Sequence, residues 1–337
     1  MMKLNKNKLL AYCLLLIGVG TLPSCEETYG PMIPLPPLSN TVEGGARLLA
    51  MADQQEDKAV VVNVSTGERV WEWNPQKSNI PDSEKPKFTL LDEVKPIYNC
   101  KYLLITATRG GVAIVRMSDS KLMFYALPMG YPHSAEVLPD GNVVVACSDA
   151  PDKLGNKLKL YEVDSTAVYS EEPIGEFDNF FAHNAVWDRE HFRLWTTADD
   201  KLLSWAYEKS GGKMALVPRE TFALPDRAAE AHDLFPVYGE KGLWVTTVSA
   251  VYKFDVTTKT FTKFSGAVTS NIKSISSGPK EYPIVLLAPN KNYWSDRVID
   301  SGGRTIYMKP NAKIYKARWM LQNAFSYPDE HTFTQSR

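Results

Sequence analysis

The sequence predicts an all-β fold, a six-bladed β-propeller, on three observations. Short apolar strands alternate with polar turns from residue 47 to about residue 320. No long amphipathic helical pattern interrupts them. One phrase, PHSAEVLPDGNVVVACS at residues 132–148, returns as AHNAVWDREHFRLWTTA at 182–198 and AHDLFPVYGEKGLWVTT at 231–247. Each copy opens near a His, crosses a polar turn and ends in an apolar strand. Units of about 40–50 residues have the length of a four-stranded blade. A seven-bladed ring or a pair of β-sandwiches is the competing architecture, because two of the repeats match poorly.

The elements follow in order. Residues 47–52, 59–64 and 69–73 form the first unit, with a hairpin turn at Ser65-Thr66-Gly67-Glu68. This unit lacks an inner strand of its own. Residues 321–327, or the segment before Arg47, are expected to supply it and so close the ring, which protects the sheet edges. The second unit holds strands at 102–107, 112–116 and 121–126, with Gly110-Gly111 at a turn. The third holds 133–138, 143–147, 158–163 and a weaker strand near 167–174, reversed at Pro139-Asp140-Gly141. The fourth and fifth start at His183 and His232, and the fifth continues through 251–256 and 260–264. The sixth holds 272–276, 283–288, 304–308 and 313–319.

The flanks differ in composition. Residues 1–24 carry Lys3, Lys6 and Lys8 ahead of a short apolar core, the pattern of a signal peptide. Leu22-Pro23-Ser24-Cys25 resembles a bacterial lipoprotein box, which implies cleavage before Cys25 and lipidation of that residue. Residues 25–45 are Pro-rich and read as a lipidated tether. Residues 46–327 form the propeller and 328–337 a polar tail. The expected address is the cell envelope, anchored by lipid to the outer membrane and facing the periplasm or the exterior. Glu26 and Glu27 after the Cys resemble the surface-export signal of lipoproteins from Bacteroidota. Cys100 and Cys147 remain in the mature chain, either as a pair or as free thiols. The chain of 337 residues has a net charge of −1, so no basic field points to nucleic acid.

Alignment of the units gives one column: Lys95, His133, His183, His232 and Lys273, at spacings of 38, 50, 49 and 41 residues. Three of the five His of the chain stand in it. The first strand of a blade lines the central channel, so equivalent positions ring the axis. The column therefore predicts a basic ring at one channel mouth. Arg109 lies on a loop of the same face, as do Tyr131 and Phe181 ahead of their strands and Tyr293 and Trp294 in the loop 289–296.

Three readings compete. In one, the column is structural and bonds neighbouring backbone. In the second, Lys95, Lys273 and Arg109 hold the charge of an acidic carbohydrate or other small anion, His133, His183 and His232 hydrogen-bond it, and Tyr131 and Phe181 stack on it. In the third, His133, His183 and His232 bind a divalent metal such as manganese or zinc and support a polysaccharide lyase or hydrolase. A protein-interaction scaffold, with partners in an envelope complex, is a further alternative. No nucleophile elbow, phosphate loop or metalloprotease helix motif is present. His191 falls in the turn Asp188-Arg189-Glu190-His191 and is expected to be exposed.

The lipoprotein box, the Pro-rich tether, HSAEVLPDGN at 133–142 and KIYKARW at 313–319 together resemble a family of uncharacterised propeller lipoproteins from Bacteroidota. The resemblance implies a propeller fold and an envelope address, and no settled activity. The phrase H-x-x-x-x-L-P-D-G-N also resembles propeller arylsulfotransferases. His at blade starts is similar to oligogalacturonate lyases, where it implies a metal that neutralises a uronate carboxylate. Lys95 and Lys273 depart from that pattern.

Overall fold

The computed structural model describes residues 46–327. Cys25, the signal segment, the tether and His331 lie outside them. Among the described residues six small sheets form the ring of a six-bladed β-propeller.

Blade one begins with β1 (Leu48–Asp53), β2 (Lys58–Asn63) and β3 (Arg69–Trp73). Blade two holds β4 (Leu91–Ile97), β5 (Tyr102–Ala107), β6 (Val112–Arg116) and β7 (Leu122–Ala126). Blade three is β8 (Pro132–Val137), β9 (Val143–Cys147) and β10 (Lys157–Tyr161), with β12 (Gly175–Asp178) outermost. The short β11 (Tyr169–Ser170) instead joins blade two, parallel to β7. Blade four is β13 (Ala182–Asp188), β14 (Arg193–Ala198), β15 (Lys201–Ser210) and β16 (Lys213–Ala223). Blade five is β17 (Asp233–Pro236), β18 (Gly242–Thr246), β19 (Val251–Asp255) and β20 (Thr260–Lys263). Blade six is β21 (Ser274–Ser276), β22 (Val285–Leu287), β23 (Arg297–Asp300) and β24 (Thr305–Met308). The final strand, β25 (Ile314–Trp319), pairs antiparallel with β1.

Closure therefore differs from expectation. The inner strand of blade one comes from Ile314–Trp319, not from residues 321–327 or the tether. KIYKARW thus leaves blade six, whose third strand is Arg297–Asp300, a stretch the sequence pattern passed over. The outer strand of blade three starts at Gly175, beyond the weak pattern near 167–174. Lys316 and Arg318 on this strand are 1% and 0% exposed despite their charge.

The core explains why the inner strands read as unbroken apolar runs. Side chains alternate across a strand, and here both faces are covered. Val143 and Val145 pack against blade two with Leu104, Ile114 and Phe124. Val144 and Ala146, on the other face of β9, pack against blade four with Trp187 and Leu194. Six such apolar clusters fill the gaps between neighbouring blades. One of them joins blade six to blade one through Val285, Leu287, Ala317 and Trp319. Each buried Val, Leu or Phe contributes about 1.5–3 kcal/mol by leaving water, so the closing strand is held by packing as well as pairing. Cys100 and Cys147 are free thiols, and burial pushes both up to about 12. His191 is half-buried in its turn, with Nδ1 2.8 Å from Asp188 Oδ2.

Candidate functional site

A backbone signature marks the channel mouth. Leu90, Tyr131, Phe181, Glu230 and Asn271 all have positive φ, between 50° and 60°. Each stands two residues before an axial side chain: Asp92, His133, His183, His232 and Lys273. For non-glycine residues the left-handed region costs about 1–3 kcal/mol, and such strain gathers where a site is built. The kinks turn Tyr131 and Leu90 toward a cleft at the mouth, where both line the wall. β25 supplies the sixth axial residue, Tyr315.

This register corrects the second unit of the column. The mouth residue of blade two is Asp92, not Lys95. A bulge in β4 between Leu91 and Val94 shifts the pairing, which hid the correspondence. Lys95 lies farther along the strand, 3% exposed, with Nζ donating to the carbonyls of Ala135 and Ala185 at 2.7 Å and to Glu136 at 3.1 Å. It has no access to the mouth. The signal for Asp92 was present, since it precedes His133 by 41 residues, the interval between His232 and Lys273.

The mouth side chains form a continuous arc. Asp92 Oδ2 accepts from His133 Nδ1 at 2.9 Å and from Thr108 Oγ1 at 2.5 Å, and Oδ1 accepts from Gln54 Nε2 at 3.1 Å. The His133 ring stacks with His183 at 4.4 Å and lies parallel to Tyr315 at 6.0 Å. Phe181 stacks on His183 at 4.1 Å, and His183 meets His232 edge-on at 5.6 Å. Lys273 Nζ donates to His232 Nε2 at 2.8 Å. His232 must then carry its proton on Nδ1, which is buried and bonds no protein group among the described residues.

Electrostatics leaves two members of this arc, His183 and His232, uncharged at neutral pH. Burial, followed by the neighbouring imidazoles of His133 and His232, holds His183 well below the usual histidine range. Burial and then the Lys273 ammonium bring His232 down to about 3. Burial lowers Lys273 to about 8. Arg109 is different. Its side chain is exposed, and no hydrogen bond or ion pair holds its guanidinium among the described residues.

Beneath the mouth the axis is plugged. Arg318 Nη2 donates to Glu93 at 3.0 Å and to Asp233 at 2.6 Å, and its guanidinium lies 4.1 Å over the Phe235 ring. Lys316 sits 3.3 Å from both carboxylates. Burial alone would raise Glu93, but Arg318, Lys316 and Lys95 hold it far below the usual carboxylate range.

The open space is a cleft of about 420 Å³. Arg109, Tyr131, His133 and Tyr293 line it, as the sequence suggested. Asp92, Tyr315, Gln54, Thr108 and Leu90 line it too, and sequence reasoning did not single them out. Phe181, His183, His232 and Lys273 lie along the arc but outside its wall, and Trp294 is half-buried under Lys313. The three His do not converge on a point. The rings of His133 and His183 stack face to face, His183 Nδ1 faces Ser148 Oγ and the Phe181 carbonyl, and His232 Nε2 faces Lys273. Among the described residues no three His, Cys, Asp or Glu side chains gather into a group fit to hold a metal ion.

Three solved structures are similar to this chain. A crystal structure of a protein of unknown function from Bacteroides caccae aligns with a TM-score of 0.51 at 12% identity, covering 82% of this chain and 99% of that one. The β-propeller domain of Cps50 (Swd1) from Myceliophteria thermophila aligns at 0.46 and 9% identity, over 75% and 96% of the two chains. Dihydro-heme d1 dehydrogenase NirN, solved in complex with DHE, aligns at 0.45 and 13% identity, over 87% of this chain and 57% of its own. No curated protein matches the chain. A family model matches residues 5–337, so the chain belongs to DUF6528, a family of unknown function.

Proposed function

We propose that this propeller binds an acidic carbohydrate, or a small anion of similar chemistry, in the cleft at the channel mouth. The carrying observation is Arg109, an exposed side chain at the wall of a concave site whose guanidinium bonds no protein group among the described residues. Guanidinium pairs with carboxylate in a planar fork, which Lys cannot imitate. Tyr131, Tyr293 and Tyr315 supply aromatic surface beside it, suited to the apolar faces of a sugar ring, and Gln54 and Thr108 supply polar atoms. The role first given to Lys95 passes to Arg109. Lys273, His183 and His232 support the site from behind rather than touching the ligand.

Calorimetric titration tests the reading. Oligosaccharides of uronic acids should bind, and neutral oligosaccharides of the same length should bind at least about tenfold more weakly, a difference of about 1.4 kcal/mol. Equal binding of both, or of neither, refutes it. The envelope address rests on residues 1–25 alone, and incorporation of labelled palmitate that Cys25→Ala abolishes is its test.

A further inference from the structure

We propose that Asp92 and His133 form a general-base dyad that removes the proton α to the carboxylate of an acidic sugar, an inference that rests on the acidic-sugar reading above. Asp92 is 0% exposed, and its carboxylate is fixed by Gln54, Thr108 and His133. A carboxylate only accepts, so His133 Nδ1 carries the hydrogen of their 2.9 Å contact. In the tautomer with that hydrogen on Nδ1, the ring lone pair is on Nε2. No protein group bonds Nε2 among the described residues, and His133 itself lines the cleft. The near-parallel rings of His183 and Tyr315 hold its plane. A buried carboxylate that fixes the tautomer and offsets the imidazolium is what a histidine base requires.

The cleft also narrows the chemistry. Asp92 is the only carboxylate among the wall residues, and all its visible contacts are internal. Two-carboxylate glycoside hydrolysis therefore lacks its second group. The Thr108 hydroxyl donates to the same Asp92 oxygen as His133 Nδ1, so Asp92 is shared between the two. What remains is proton abstraction from carbon. Arg109 on the carboxylate stabilises the negative charge that builds there as the adjacent C–H bond breaks.

The step balances without a co-reactant. The C–H proton passes to His133 Nε2, and its electron pair forms a C=C bond conjugated with the carboxylate. The bond from the β-carbon to the glycosidic oxygen breaks, and its electrons leave with the oxygen. That oxygen takes a proton from water in the open cleft, and His133 later returns its own proton to water. The sugar chain is cut and one fragment carries the double bond.

The test pairs two readouts on the purified protein, with oligogalacturonate, oligomannuronate and chondroitin oligosaccharides as probes. Calorimetry reports binding, and ultraviolet absorbance of the conjugated product reports elimination. The expected result is absorbance that grows with wild type and falls about a hundredfold or more in His133→Gln. Circular dichroism and a denaturant midpoint matching wild type show that this variant folds. Asp92→Asn should lower kcat with KM unchanged, because Asp92 is a positioning residue that acts through the ring. Binding with no absorbance from any probe overturns the dyad and leaves the binding site standing. Absorbance undiminished in His133→Gln overturns it as well. No binding of any probe removes both readings.

Discussion

Consecutive residues on the inner strands meet opposite fates. Asp92, His232 and Tyr315 belong to the mouth, while Glu93, Asp233 and Lys316, each one residue later, belong to the plug. Side chains that alternate across a strand make this possible. In the plug every charge is answered: two carboxylates meet Arg318 and Lys316, and Ser134 and Asn184 fill remaining bonds. In the mouth the groups are left open: among the described residues nothing pairs with Arg109 or bonds His232 Nδ1, and left-handed backbone is held in place. A buried polar network that is fully satisfied specifies a fold. Open valences and strain retained at a cleft are what a binding site requires.

Substitutions can break this contrast, and the plug should yield the largest effect. Arg318→Leu removes the cation that bridges the buried carboxylates Glu93 and Asp233, and loss of one partner in a buried ion pair costs about 3–5 kcal/mol. Denaturant titration should show that loss, and a loss under about 1 kcal/mol would place the network outside the fold's support.

Next comes Gly130→Ala. Gly130 has φ +64°, and a Cβ there would lie 2.5 Å from the Leu154 carbonyl. Strain of about 1–3 kcal/mol follows, and Tyr131 should shift from the cleft wall. Weaker uronate binding together with lower stability is the expected pair of results.

Acid should act on the mouth before the plug. His183 and His232 titrate below 6.5 in the native state and near 6.5 when unfolded, so between about 3 and 6.5 the unfolded chain binds more protons. Native stability should therefore rise with pH across that window and be lost as pH falls below 6.5. His232→Gln should flatten the slope in chemical denaturation at pH 5 and pH 7. An unchanged slope would mean that His232 is already charged in the fold.

The smallest stability effect belongs to Arg109→Ala, which should stay within about 0.5 kcal/mol of wild type while uronate binding weakens about tenfold.

The sequence carried the blade count because the apolar clusters between blades are local in pattern: VVVAC at 143–147 announces a strand covered on both faces. The closing strand was harder. The buried cations Lys316 and Arg318 are explained only by Glu93 and Asp233, distant in the chain, with which they pair. The same holds for the site. His133, Arg109 and Tyr131 could be placed from repeat alignment, whereas Asp92 was displaced by a bulge that only strand pairing reveals. Residue type misled most at Lys95, where a cation expected at the mouth caps carbonyls inside the plug.

The most direct test of a mouth built for carboxylate is a cycle on one ligand. A uronate oligosaccharide and its methyl ester are titrated against wild type and Arg109→Ala. Esterification and substitution should each weaken binding, and together do little more than either alone, because they remove the same contact. Strictly additive losses would show that Arg109 does not hold the carboxylate and would contradict the assignment of the cleft.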